Sequence, residues 1–379
     1  MNIGIVCYAS LGGSGVVATE LAHALARRGH EVHLISSDEP FRWRAGVPRL
    51  SFERVDTPAY PLFREPQYLL ALATALVRLS RDHRLDIVHA HYAVPHATAA
   101  YLAGQILAAE GSPAPPRMLT TLHGTDITLV GSDPSYARVV AFSIEQSHGV
   151  TAVSSSLRSD TIAALGITRE IRVIPNFLDC EVYRRRAVPE LRERLGAGGV
   201  EHIVVHASNF RPVKRVGVVV DVFQRIRARL PARLVMIGDG PDRRAIERRI
   251  VEDGLREFAE FPGEQHDLVP WLSAADLFLL PSEQESFGLA ALEAMACEVP
   301  VVASQVGGLP EIIDDGRTGY LCAPEDVDGM TARGIAVLSD PDLRSRIGRT
   351  AAADVRARFC TERIVSQYEQ CYRDVLGSE

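Results

Sequence analysis

The sequence predicts an α/β protein made of two doubly wound, Rossmann-like domains facing a cleft, and three observations predict it. Short runs rich in β-branched and apolar residues alternate with stretches of helical periodicity. The alternation halts once and then restarts. In each half a glycine-rich turn follows a strand. Such alternation argues for parallel sheets with helices on both faces, each half burying its own core.

In the first half the strand-like runs are residues 3–8, 31–36, 87–91, 118–122, 149–153 and 171–174, with helical patterns such as 16–28 and 66–81 between them. The pattern restarts at Ile203-Val204-Val205-His206 and continues at 234–237, 258–261, 277–280 and 301–303. The break falls at Pro175-Asn176-Phe177-Leu178-Asp179, and Gly196-Ala197-Gly198-Gly199 makes a turn before the next strand. This divides the chain into a first domain of 1–174 and a second of 175–360. The remaining stretch, about 361–379, is helical over 361–376 with no strand to cross over to, and is expected to pack back on the first domain. In open α/β sheets ligands lie beyond the carboxyl ends of the strands, so two such domains make the cleft between them the natural site.

Composition excludes several function classes. A net charge of −7 over 379 residues, with arginine scattered rather than run into blocks, gives no footprint for nucleic acid. No run reaches the roughly 18 apolar residues of a membrane span; the best, 69–79, is broken by Arg78. The N-terminus reads as a strand and not as a signal peptide, so a cytoplasmic location is expected. Cys7, Cys180, Cys297, Cys322, Cys360 and Cys371 are widely spaced with no C-x-x-C, which predicts reduced, mostly buried thiols and no thiolate zinc site.

Of the 41 basic residues only Lys214 is a lysine, within Ser208-Asn209-Phe210-Arg211-Pro212-Val213-Lys214-Arg215. Lysine offers a compact point charge that the arginine fork does not reproduce. Composition alone allows either a functional cation here or the residue of a strong arginine bias. Gly12-Gly13-Ser14-Gly15, between the first strand and a helix, suits an anion at a helix N-terminus or equally a turn made for close packing. It is not G-x-G-x-x-G, so Asp38 after the second strand makes only a weak case for a dinucleotide. The second half carries Gly238-Asp239-Gly240-Pro241 and then Glu283-Gln284-Glu285-Ser286-Phe287-Gly288-Leu289-Ala290-Ala291-Leu292-Glu293. Glu285 precedes a helix start and Glu293 lies eight residues on, two turns along, so both carboxylates can project to one side, with the N–H groups near Phe287, Gly288 and Leu289 at the helix N-terminus. A capping carboxylate followed by an ordinary surface acid is the alternative. His89 and His91 have zinc-like H-x-H spacing but no acidic third ligand near, and no metal is expected there.

Taken together, Glu285-x7-Glu293 enclosing Ser286-Phe287-Gly288, the upstream Arg211 and Lys214, and the first glycine loop resemble the retaining nucleotide-sugar glycosyltransferases of family four, which have the two-domain GT-B fold. The resemblance covers essentially the whole chain. Cys7-Tyr8-x-Ser10-x-Gly12-Gly13-Ser14-Gly15, His89-x-His91-Tyr92-Ala93-x-Pro95-His96, Thr120 to Thr128 with His123-Gly124-Thr125-Asp126, Gly131-Ser132-Asp133-Pro134 and Glu145-Gln146-Ser147 narrow it. They are similar to members that move N-acetylglucosamine from UDP-N-acetylglucosamine to L-malate, the first step of bacillithiol synthesis.

The resemblance implies roles residue by residue. The second domain would bind the donor through Asn209, Arg211, Lys214, Gly238, Glu285, Phe287, Gly288, Leu289 and Glu293, with Gly13 contributing from the first. Glu293 would accept from the ribose hydroxyls and Glu285 from hydroxyls of the transferred sugar. Arg211 and Lys214 would neutralise the departing diphosphate, each such preorganised donor typically contributing ~3–4 kcal/mol in the transition state. His123 would bond a sugar hydroxyl or polarise the reacting centre, joining Glu285, Lys214 and Arg211 as catalytic residues. The first domain would bind the acceptor through Ser14, Tyr92 and Thr121. No metal and no cofactor are implied, and a homodimer is the expected assembly. Alternatives are the same donor apparatus with inositol phosphate, a lipid or a glycan as acceptor, a UDP-N-acetylglucosamine 2-epimerase, or a non-catalytic nucleotide-sugar sensor.

Overall fold

A helix between two strands of one sheet must bring the chain back to the same edge before the next strand begins, and that requirement makes neighbouring strands parallel. A computed structural model of the chain, which describes residues 1–9, 13–58, 67–196 and 201–377, has parallel strands joined mostly by helices, the loop between residues 36 and 50 being an exception. Ser10, Gly12 and the turn residues Ala197-Gly198-Gly199 of the sequence reading lie outside the described residues, as does Pro66 at the expected start of a helix.

The molecule divides into two units, Met1–Asn176 with Glu362–Glu379, and Phe177–Thr361. The first holds strands β1 (Asn2–Val6), β2 (Glu31–Ser36), β3 (Leu50–Arg54), β4 (Ile87–His91), β5 (Arg117–Leu122), β6 (Gly149–Ala152) and β7 (Arg172–Val173). They form a parallel sheet in the order β3-β2-β1-β4-β5-β6-β7. The second holds β8 (His202–Ala207), β9 (Ala232–Ile237), β10 (Ala259–Gly263), β11 (Leu277–Leu280), β12 (Val301–Ser304) and β13 (Tyr320–Cys322), ordered β10-β9-β8-β11-β12-β13. Their pairing is also parallel. β3 and β13 are outside the expected set. β3 alternates Leu50, Ser51, Phe52, Glu53 and Arg54 at a half-exposed sheet edge, and β13 is three residues long, so neither makes a β-rich run in the sequence.

Each sheet reverses its winding once. In the first, β1 lies against β4; in the second, β8 lies against β11. At such a switch point the connections from the two central strands leave in opposite directions and open a crevice at the carboxyl ends. The segments after β1, β4, β8 and β11 are therefore the ones the fold positions for a ligand.

One core of the first unit packs Val6, Ile35, Val88 and Met118 of the sheet against Leu72, Leu76 and Leu79 of the helix Tyr68–His83. In the second, Val204, Leu234 and Leu277 meet Val219, Phe223 and Ile226 of the helix Val216–Arg227. The helix Thr361–Gly377 belongs to the first unit. Glu369 there takes Arg28 bidentately, Nε to Oε1 at 2.9 Å and Nη2 to Oε2 at 2.8 Å, and meets His30 at 3.0 Å. The Arg28 guanidinium, with His30, holds the Glu369 carboxyl down to about 2.

The cysteine expectation needs correction: Cys180 and Cys360 form a disulfide with Cα atoms 5.6 Å apart, while Cys7, Cys297, Cys322 and Cys371 are free and buried. Their separation of 180 residues hides the pairing in sequence. It arises because the chain enters and leaves the second unit side by side: Leu178 N–H donates to Phe359 O at 3.0 Å and Thr361 N–H to Leu178 O at 2.9 Å. A bond closing so long a loop constrains the unfolded chain strongly, and loss of a native disulfide typically costs about 2–5 kcal/mol. The Cys180→Ser/Cys360→Ser variant should unfold in chemical denaturation at a free energy lower by that amount, and reductant should shift the parent protein but not the variant.

Candidate active site

The segment after β8 is built from the inside out. His206 is fully buried; its Nδ1 is bonded to Leu279 O at 2.9 Å and its Nε2 to Ser208 Oγ at 2.8 Å, tying β8 to β11 and fixing the loop that follows. Burial pushes the His206 pKa down to about 4, so the ring is neutral and donates at one nitrogen while accepting at the other. Ser208 Oγ also accepts from Phe210 N–H at 3.3 Å. Phe210 then plugs into the core, leaving Asn209 exposed and Arg211 half-buried on either side. Among the described residues the Arg211 side chain has no hydrogen-bond or ion-pair partner. A short 3-10 turn, Pro212–Lys214, follows, and Arg215 takes a left-handed conformation (φ 49°) before the next helix.

That turn delivers Lys214 to the segment after β11. Lys214 Nζ lies 2.5 Å from Glu285 Oε2, Ser282 Oγ donates to the same oxygen at 3.3 Å, and Glu283 N–H donates to Val213 O at 2.8 Å. The two side chains are mostly buried. Gly308 N–H donates to Glu285 O at 2.9 Å from the far side. Gly307 is at φ +53°, and a Cβ there would collide with Glu285 O, so only glycine permits that approach.

Glu285 precedes a helix start, as the sequence predicts. The helix is Leu289–Ala296, capped by Gly288 at φ 98°, so Glu285 lies in the loop before it. Its position is set by Lys214 and Gly308, not by helical periodicity. Glu293 is on the helix and buried. Phe287 is buried edge-on against Phe359, at 5.9 Å between ring centroids. Gly238 follows β9 so close to Ser208 that a Cβ would meet Ser208 O, which holds this glycine turn against the Ser208-Asn209 loop.

In the first unit the segments after β1, β4 and β5 converge. Gly13 and Ser14 open the helix Gly13–Arg27, so their backbone N–H groups belong to its unsatisfied first turn; Gly13 is exposed and Ser14 buried. Tyr92, just past β4, is held at φ 99°, a region that costs a non-glycine residue about 1–3 kcal/mol. Its ring lies 5.4 Å from His123, 5.3 Å from Tyr8 and 6.2 Å from His96. The strained backbone turns this aromatic group toward the strand ends.

His123, after β5, is nearly buried, with Nε2 bonded to His91 Nδ1 at 2.8 Å and the rings stacked 5.0 Å apart. Burial lowers the pKa of His123 to about 3, with His96 adding to the effect, and burial with the neighbouring histidines holds His91 well below its ordinary value. His123 is thus a neutral hydrogen-bonding group and not a standing cation. Behind it Asp126 accepts from Gly124 N–H at 2.9 Å and from His123 and Ala93 N–H at 3.3 Å, clamping the two loops together. Burial raises its carboxyl to about 6 against those bonds.

Thr121 requires correction. It is fully buried, its hydroxyl bonded to His89 Nε2 at 2.7 Å and Thr151 Oγ1 at 2.6 Å, so it faces the interior and presents nothing to an acceptor. Both faces of β5 are covered, so Thr120 and Thr121 are each buried. His89 uses its other nitrogen on Tyr372 Oη at 2.8 Å. The sequence reading gave no role to Asp126, His96 or His206. The signal for Asp126 is an acidic residue three positions after His123 at a strand-to-helix turn; for His206 it is a lone polar residue ending an apolar strand.

Two family models divide the chain between them: Glycosyltransferase Family 4 over residues 11–182 and Glycosyl transferases group 1 over residues 188–354. N-acetyl-alpha-D-glucosaminyl L-malate synthase of Bacillus anthracis is 44% identical over 379 residues, spanning 100% of this chain and 98% of its own. The chain belongs to the family-four glycosyltransferases. A D-inositol 3-phosphate glycosyltransferase of Mycobacterium marinum is 28% identical over 97% of this chain and 82% of its own. Two solved structures share the fold of this glycosyltransferase: sucrose-phosphate synthase from Thermosynechococcus elongatus and HepE from Anabaena in complex with UDP and glucose. The first has a TM-score of 0.83 at 24% identity over 100% of both chains. The second has 0.81 at 20% identity over 98% of this chain and 99% of its own.

The buried histidines of the glycosyltransferase fix the sign of its pH response. His89 and His123 (about 3) and His96 and His206 (about 4) refuse protons that the unfolded chain takes up below about 6.5. Their contribution is therefore present above 6.5 and lost as pH falls. Asp126 acts oppositely, its stabilising effect fading as pH rises through about 6, but it is one group against four. Scanning calorimetry should find Tm falling steadily from pH 7 to pH 5. A flat or rising profile would contradict the neutral-histidine assignment.

Proposed function

We propose that this glycosyltransferase transfers N-acetylglucosamine from UDP-N-acetylglucosamine to the hydroxyl of L-malate with retention, giving the α-glycoside and UDP, as the first step of bacillithiol synthesis. The observation that carries the acceptor is the 44% identity, across all 379 residues, to a relative whose name states that product. The donor chemistry draws its support from Lys214 and Glu285, 2.5 Å apart at the switch point of the second sheet, with Arg211 one turn away.

In this reading the ion pair is the resting arrangement of two donor groups. When UDP-N-acetylglucosamine binds, Lys214 exchanges part of its contact with Glu285 for diphosphate oxygens, Arg211 joins it, and Glu285 turns to the sugar hydroxyls. Asn209, Gly238, Phe287, Gly288 and Leu289 line the nucleotide sugar with backbone groups, and Glu293 accepts from the ribose. As the glycosidic bond breaks, negative charge grows on the leaving phosphate, and cations already fixed beside it stabilise that change without reorganisation. Two fixed cations supply what a divalent metal would, and we read the transfer as metal-independent. The acceptor proton passes to the leaving diphosphate on the same face, so the anomeric configuration is kept.

On the acceptor side Gly13 and Ser14 offer N–H groups at a helix N-terminus to a carboxylate, and Tyr92 offers a hydroxyl. His123, neutral, bonds a sugar hydroxyl. Our reading sets the enzyme in the cytoplasm as a homodimer; no described helix is long and apolar enough to cross a membrane.

Steady-state kinetics with UDP-N-acetylglucosamine and L-malate test the assignment. Lys214→Ala and Glu285→Ala should each lose about 10²–10³-fold in kcat, the magnitude of one transition-state donor. Glu293→Ala should lose far less turnover. Proton NMR of the product should give an α anomeric signal. Parent-like rates for Lys214→Ala would overturn the phosphate role, and a β product would overturn retention.

A further inference from the structure

The edge of the first sheet carries a second cluster of chemistry-bearing side chains that the transfer reaction does not use. His33 on β2, Glu53 on β3 and His83, the last residue of the helix Tyr68–His83, each turn a donor atom into one space, with the three atoms all within 4.8 Å of one another. The juxtaposition follows from the fold. β2 and β3 pair with His33 opposite Ser51 and Ile35 opposite Glu53, so all four side chains leave the sheet on one face. The helix covers that face, as Ile35 packing with Leu72, Leu76 and Leu79 requires, and its last turn brings His83 over His33 with ring centroids 4.1 Å apart.

We infer that His33, Glu53 and His83 form a binding site for a single divalent d-block cation of the zinc class, with a fourth position left for water. Two imidazoles and one carboxylate are a zinc-type donor set, and a borderline ion such as Zn²⁺ or Co²⁺ suits it better than an oxygen-seeking ion such as Mg²⁺. Ser51 Oγ is bonded to His33 Nδ1 at 2.8 Å, which fixes the ring and leaves Nε2 as the ligand, the usual outer support of a metal-bound histidine. The helix ends at His83, where its negative pole favours a cation. His33 is buried beneath the end of the helix. Arg78 Nη2 stands 3.5 Å from Glu53 Oε2 and is the one cation that must yield on binding.

The site lies on the β2–β3 side of the sheet, under the helix Tyr68–His83, away from the segments that follow β4 and β5. His83 O accepts from Asn2 Nδ2 at 2.9 Å, and Asn2 begins β1, whereas the acceptor residues follow the carboxyl ends of β1, β4 and β5. A cation there ties the edge strand β3 and the end of a helix to β2, so it acts on the stability of the first unit and not on the reaction.

The test is calorimetric titration of the full, tag-free chain, stripped with EDTA and then dialysed free of it, with Zn²⁺, alongside the visible spectrum on adding Co²⁺. One equivalent per chain should bind with micromolar or tighter affinity, raise Tm, and give the intense d–d bands of four-coordinate Co²⁺. Ser51→Ala should weaken binding about 10–100-fold, and His83→Ala and Glu53→Gln at least as much. His83 is exposed, so His83→Ala should keep the metal-free Tm of the parent. Absence of a saturable one-equivalent site, or full binding retained by both His83→Ala and Glu53→Gln, would overturn the proposal.

Discussion

Parallel pairing is the constraint on which everything else depends. It sends all strands of a sheet in one direction, so every carboxyl end emerges at one edge, and the winding reversal at β1/β4 and again at β8/β11 opens that edge where loops have room. The residues with chemical potential follow from this. Ser14, Tyr92 and His123 come from turns after β1, β4 and β5; Arg211, Lys214 and Glu285 come from turns after β8 and β11. Residues far apart in sequence become neighbours because sheet order, not chain order, decides adjacency.

The two half-sites handle charge in opposite ways. In the second unit the charges are present, with Lys214 paired to Glu285. In the first unit burial removes charge, and His89, His91, His96 and His123 are driven neutral by desolvation. Neutral imidazoles donate at one nitrogen and accept at the other, which suits hydroxyl-rich ligands and leaves anion attraction to helix-terminal N–H groups.

How much of this was legible in sequence depends on the range of the interactions concerned. Strands such as 277–280 and 301–303 are continuous apolar runs, as strands buried on both faces must be, and local pattern reveals them. Lys214 announces itself by composition, and Glu285 with Glu293 by spacing. What sequence does not carry is contact between distant segments. The Cys180–Cys360 bond depends on the chain entering and leaving one unit side by side. The bonding of the Thr121 hydroxyl depends on His89 and Thr151 meeting it from neighbouring strands. The position of Glu285 depends on Lys214 and Gly308, which reach it from other segments, while the helix that carries Glu293 begins only at Leu289, after the left-handed Gly288. β3 escaped because an edge strand needs only one apolar face.

The most direct measurement is release of UDP from UDP-N-acetylglucosamine by the purified chain, in EDTA, with and without L-malate. The account predicts release that depends on malate and is undiminished by the chelator. Release without malate, or tight binding of the sugar nucleotide with no malate-stimulated turnover, would contradict it.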